Sequence, residues 1–158
     1  MDKFKVLDIS GDVGIRAFGE SINEAFINAS IGMYSLITNP DAIKEKKTID
    51  VTVESHSLDG LLVSWLNELI FHFDAYGFIG KKITITELTH SLPLQREGKG
   101  GADQTVNLPA CRLKATITGE DFDAERHERR LLIKAATYHM LRLEKAGEMW
   151  EVDVIFDI

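Results

Sequence analysis

The chain has 158 residues, 44% of them apolar, and 25 acidic against 18 basic side chains give a formal charge of -7. That length suits one domain, residues 1–158, with a sizeable core. An acidic surface without a basic stripe argues against strong, direct nucleic-acid binding. No window approaches the ~18 uninterrupted apolar residues of a membrane span. The N-terminal "MDKFKVLDIS" lacks the apolar region and small-residue cleavage site of a leader. One cysteine, Cys111, cannot form an internal disulfide and reads as a small packing residue. The expectation is a soluble, cytoplasmic protein.

In chain order, residues 3–8 and 13–18 read as short strands with "SGD" turning between or beside them. Ser21 opens a helix, and "SINE" sets Glu24 three residues on, the spacing of a capping box. Ile22, Phe26, Ala29, Met33 and Leu36 then form one apolar stripe, and Asn39-Pro40 ends the helix. "KTIDVTVES" alternates as a half-buried strand. "SLDGLLVSWLNELIFHFDAYG" is the strongest helix, with Leu58, Leu61, Leu62, Trp65, Leu69 and Phe73 on one face and Gly77 at its end.

"FIGKKITITEL" and "CRLKATITG" follow as a pair of hairpin strands. Between 88 and 110 the pattern fails, and a long loop or hairpin extension is expected there. "LLIKAATYHMLRLEK" and "MWEVDVIFDI", joined by "AGE", read as two closing strands. The whole is an α+β domain, with two amphipathic helices packed on one face of a largely antiparallel or mixed sheet.

Local motifs for common chemistries fail. "GDVGIRAFGE" has the wrong spacing for either phosphate-binding glycine loop, and no Gly-x-Ser-x-Gly element or close cysteine pair exists. The five histidines form no His-x-His or His-x-x-x-His pair. His72 reads as a satisfied, partly buried side chain, and His139 as packed and hydrogen-bonded within an apolar strand. "GEDFDAERHERR" reads as a solvated charged turn anchored by Phe122. The closing "WEVDVIFDI" puts Trp150, Val152, Val154, Phe156 and Ile158 on one side of a strand, with Asp153 and Asp157 on the other. Were Asp12 to come near Asp157 and Ile158, negative groups would crowd one corner, and a hard cation with oxygen ligands would relieve them.

These pieces together resemble the archease family, small acidic activators of RtcB-type RNA ligases. The matching stretches are "GDVGIRAFGESINEAFINASIGMYSLITNP", "LDGLLVSWLNELIFHFDAYGF", "GEDFDAERHE", "IKAATYHML" and "WEVDVIFDI", in the family's order along nearly the whole chain. The family's opening motif, Glu-His-Thr-Ala-Asp-(Ile/Val)-Gly, reads here as "DISGDVG". Asp8, Ile9, Ser10 and Gly11 replace its first four residues, while Asp12 and Gly14 are kept. The 88–110 segment is longer than the family's usual turn.

The resemblance implies a metal site made by Asp12, Asp157 and Ile158, the last through a main-chain or terminal oxygen, holding a divalent cation: Ca²⁺, or alternatively Mg²⁺ or Mn²⁺. It also implies a partner-facing surface at Lys134 and His139. The implied function is non-catalytic activation of an RtcB-type ligase in tRNA splicing, promoting its guanylylation and multiple turnover and widening its nucleotide use. The alternatives are a metal-dependent phosphoester hydrolase and a chaperone or adaptor for RNA-modifying enzymes.

Overall fold

The computed structural model describes residues 2–90 and 110–158. Its strands are β1 (Phe4–Ile9), β2 (Asp12–Gly19), β3 (Lys47–Ser55), β4 (Phe78–His90), β5 (Cys111–Asp121), β6 (Ala135–Ala136), β7 (Arg142–Ala146) and β8 (Met149–Asp157). Two helices, α1 (Ile22–Ile37) and α2 (Leu58–Tyr76), and a short 3-10 turn at Pro40–Ala42 complete it. The α+β reading holds, with every strand pair among the described residues antiparallel. The strands divide into two sheets, one ordered β1-β2-β8-β6 with β7 also on β8, the other β3-β5-β4.

Local chemistry sets the boundaries. Ser21 accepts from the Glu24 N–H at 3.1 Å, while the Glu24 carboxylate reaches back to the Glu20 N–H at 2.7 Å. The capping box thus forms with its return bond one residue early. Ser57 caps α2 by accepting from the Gly60 N–H at 2.9 Å, and Gly77, at φ 71°, closes it. Ser10 and Gly11 take φ 26° and 87° between paired Ile9 and Asp12. Two positive-φ residues in a two-residue loop match the right-handed twist of the strands they join.

α1 packs on β1, β2 and β8 and reaches β4; α2 packs on β3, β4 and β5 and reaches β6. The helices therefore carry one apolar core between the two sheets. Ile15 and Ala17 of β2 and Val152, Val154 and Phe156 of β8 are wholly buried with Phe26, Ala29 and Met33 of α1. Trp65 donates its indole N–H to Ser30 at 2.7 Å and so joins the helices at the centre. Cys111 is buried, as a packing residue should be. No helix among the described residues is long and apolar enough to cross a membrane.

Two expectations are corrected. The run 131–145 is not one strand: only Ala135–Ala136 and Arg142–Ala146 pair with β8. Its beginning serves α1 instead. The Arg130 and Leu131 N–H groups donate to the carbonyls of Ile37 and Leu36, and the Arg130 guanidinium donates to the Ser35 carbonyl. These are carbonyls a helix end leaves unsatisfied. Next, Tyr138 to Leu141 form a tight turn with Met140 at φ 53°, so His139 is exposed rather than packed in a strand.

The 88–110 segment is also bounded differently, because β4 runs to His90, opposite Cys111 at the start of β5. The expectation for the remainder, 91–109, lies outside the described residues.

Candidate functional site

Asp12 is the first residue of β2, exposed just after the Ser10-Gly11 turn. β2 pairs with β8 so that Val13 faces Phe156 and Gly14 faces Ile155. Extending that register by one residue sets Asp12 opposite Asp157. The chain ends that are far apart in sequence thus meet on one rung. Gly14 is required beside it: a Cβ there would lie 2.5 Å from the Val154 carbonyl and 2.6 Å from Ile155 Cδ1. The Ile155 side chain occupies that space and is 3% exposed.

Further along the same face of β8 stands a second acid with a different fate. Asp153 takes two guanidinium donors from Arg16, at 2.8 and 3.0 Å, and further ones from Arg142, the nearer at 3.1 Å. Burial alone would raise its carboxyl pKa, but the two arginines outweigh that and hold it below the ordinary value. Arg142 also grips Glu151 at 2.7 Å and Glu144 at 2.6 Å. Asp12 and Asp157 receive no such partner among the described residues. Like charges on facing strand positions repel, and the oxygen-only donor set fits a hard divalent cation. No three His, Cys, Asp or Glu side chains converge among the described residues. A cation at this corner would therefore rely on the two carboxylates and main-chain oxygens such as that of Ile158.

Lys134 lies beside the corner, donating its backbone N–H to the Asp157 carbonyl at 2.8 Å, with its side chain exposed. The strand that follows is held from behind by α2. The Asn67 amide accepts from the Ala136 N–H at 2.8 Å and donates to the Ala136 carbonyl at 3.2 Å. His139 sits in the turn beyond, its N–H donating to Thr137 Oγ1 at 3.2 Å. His72 is partly buried on α2 with Nε2 3.3 Å from Glu68, as the sequence suggests.

The charged run at 119–130 is not simply a solvated turn. Glu120 is 3% exposed, and its carboxylate accepts from the Lys44 N–H at 2.6 Å, from Arg126, and from His127 Nε2 at 2.9 Å. His127 Nδ1 accepts from the Asp123 N–H at 2.7 Å, which fixes the proton on Nε2. The imidazole stacks on Phe122 with centroids 5.2 Å apart. Burial would raise the Glu120 carboxyl, but Arg126, the Lys44 N–H and His127 together hold it at about 2. Strand alternation gave no signal for this burial, because Glu120 directly follows buried Gly119 on β5.

Comparison with known proteins places the chain in a family. The model of the Archease protein family (MTH1598/TM1083) matches residues 4–158. The chain belongs to the archease family. A protein archease of Sulfurisphaera tokodaii is 30% identical over 158 residues, covering all of both chains. One of Pyrobaculum neutrophilum is 32% identical over 151 residues, 94% of this chain and 90% of that one. The solution structure of Methanobacterium thermoautotrophicum protein 1598 superposes with a TM-score of 0.75 at 26% identity, covering 100% of each chain. A crystal structure from Thermotoga maritima, described as an archease and a possible chaperone, shares the fold with a TM-score of 0.60 at 19% identity over 98% of this chain and 96% of that one.

Proposed function

We propose that this archease is a non-catalytic activator of an RtcB-type RNA ligase in tRNA splicing, acting in the cytoplasm through the Asp12–Asp157 corner. The observation that supports the reading is the meeting of these two carboxylates, uncompensated among the described residues, at one end of the outer sheet face, in a chain of this family. Asp12, Asp157 and the main-chain oxygen of Ile158 are the groups that would hold a divalent cation, Ca²⁺, Mg²⁺ or Mn²⁺. Such a cation supplies positive charge that can be shared with phosphate oxygens.

The chain's own residues do the rest. The Ser10-Gly11 turn presents Asp12, and the β2–β8 ladder fixes Asp157 opposite it. Lys134 and His139 offer exposed polar groups on the adjoining strand and turn to the partner. The formal charge of -7 suits a ligase whose RNA groove is basic, and such complementarity mainly accelerates encounter.

The test is ligase guanylylation and multiple-turnover RNA joining by the cognate ligase, with and without this protein. Stimulation at substoichiometric amounts is expected, with loss of stimulation by Asp12→Ala at an unchanged circular dichroism spectrum. Equal stimulation by that variant sinks the role of the corner. Phosphoester hydrolysis by the purified protein alone, lost in the same variant, would instead identify a metal-dependent hydrolase.

A further inference from the structure

A second surface of the molecule combines exposed rings with one sign of charge. No lysine or arginine occurs between Lys47 and Lys81, a span that holds all of α2. On the C-terminal half of that helix, Phe71, His72, Ala75 and Tyr76 lie three, four, seven and eight residues beyond Glu68 and so share a stripe with it. Phe71 is 50% and Tyr76 64% exposed, large rings left facing water. The rings support one another: Phe71 meets His72 edge-on with centroids 5.7 Å apart and Tyr76 edge-on at 5.9 Å, and His72 lies 5.7 Å from Tyr76. Glu68 borders the cluster through its 3.3 Å contact to His72, and Asp74 is exposed on the same last turns.

The helix end adds to this field. A helix C-terminus carries partial negative charge, and α2 has no basic residue in its last turn to offset it. Rings with accessible faces, a carboxylate at their edge and a helix end with no basic residue in its own last turn all favour a flat cation. A guanidinium stacks on aromatic faces and donates two parallel hydrogen bonds to a carboxylate, which the compact ammonium of lysine cannot do. A nucleobase could also stack, but its phosphates would meet Glu68, Asp74 and the helix end. A wholly apolar partner would strip water from Glu68 without replacing its hydrogen bonds.

We propose that the Glu68–Phe71–His72–Tyr76 face of α2 is a docking surface for an arginine-bearing segment of a partner protein. It rests on its own observations and does not depend on the metal corner. The rings are pre-assembled, so an incoming arginine has little to order on this side of the contact.

The test uses the intact, isotope-labelled chain titrated by NMR with the peptide Ac-Gly-Arg-Gly-Arg-Gly-NH₂ and its lysine and citrulline counterparts. The arginine peptide should move the ring signals of Phe71, His72 and Tyr76, binding about threefold or more tighter than the uncharged citrulline peptide. Glu68→Gln and the doubly substituted Phe71→Ala, Tyr76→Ala chain should each weaken it by a similar factor. All these positions are outside the fully buried core, and an unchanged melting temperature verifies that the variants fold. Absence of ring shifts, equal binding of the citrulline peptide, or unaltered binding by the variants overturns the proposal. So does a decauridylate RNA that moves the same rings more strongly than the peptide.

Discussion

At the scale of single residues, the acids of this chain differ by what faces them. Asp153 and Glu120 are neutralised by arginines, whereas Asp12 and Asp157 face each other across the extended register without a cation among the described residues. The contrast predicts opposite effects of one substitution. Asp157→Asn should stabilise the metal-free protein by about 0.2–1 kcal/mol, by removing a like-charge pair. It should also weaken Ca²⁺ or Mn²⁺ binding, measured by calorimetric titration, by about tenfold, and reduce the metal-dependent rise in melting temperature. A variant that loses stability without metal and binds metal normally contradicts both halves of the argument.

Glu120 gives a pH prediction. Its folded-state carboxyl titrates at about 2, below the ordinary 4.5. A depressed carboxyl pKa stabilises the fold above the unfolded-state value and loses that contribution as pH falls toward the folded value. Stability measured by urea unfolding should therefore decline from about pH 5 toward pH 2 more steeply in the native chain than in Glu120→Gln. At neutral pH, Glu120→Ala should cost on the order of 2 kcal/mol or more, because the Lys44 N–H and the His127 Nε2–H lose their acceptor. Parallel pH profiles for the native chain and Glu120→Gln would mean that the buried pairing contributes nothing in this range.

At the scale of elements, the sequence marked most clearly those elements whose signals are local. Ser21 and Ser57 start the helices, Gly77 ends the second, and the two-residue turn at Ser10-Gly11 sets the first hairpin. The segment 131–145 misled because its apolar composition suggested a strand while its backbone groups were committed elsewhere. Arg130 and Leu131 satisfy the end of α1, and Ala136 is bound on its outer edge by Asn67. Leu132, Tyr138 and Met140 consequently stay exposed.

This arrangement predicts that Asn67→Ala frees the β6 edge. It removes the partner of one N–H and one carbonyl, at a cost of about 1–3 kcal/mol. Hydrogen exchange at Ala136 should accelerate more than exchange in β2. Uniform acceleration would show a global rather than local effect.

At the scale of the whole molecule, the candidate site depends on contacts too distant in sequence for any local pattern to reveal. Arg16 and Asp153 are 137 positions apart, and the division into two sheets is fixed only by which strands the helices separate. The residues of the corner could be named because the family's opening motif and closing strand are both legible in the sequence. That they meet follows from the β2–β8 register alone. The same architecture bears on cooperativity, since each sheet buries its apolar face against helices that also touch the other sheet. Among the described residues neither sheet has a separate core: the buried residues of both form one cluster, which holds Trp65 with its bond to Ser30.

A fold so joined should unfold in one step. Trp65 fluorescence, read in a Trp150→Phe chain so that Trp65 is the one tryptophan, reports the interhelix centre, while far-ultraviolet circular dichroism reports both sheets and helices, and their denaturant midpoints should coincide. Ser30→Ala removes the indole's acceptor, leaving a buried donor unpaired at a cost of about 1–3 kcal/mol. If the core is shared, that substitution lowers both midpoints together and leaves the denaturant slope unchanged. Separated midpoints would mean that β3-β5-β4 can come away while β1-β2-β8 persists. The Asp12–Asp157 corner, built wholly within the latter sheet, would then survive partial unfolding.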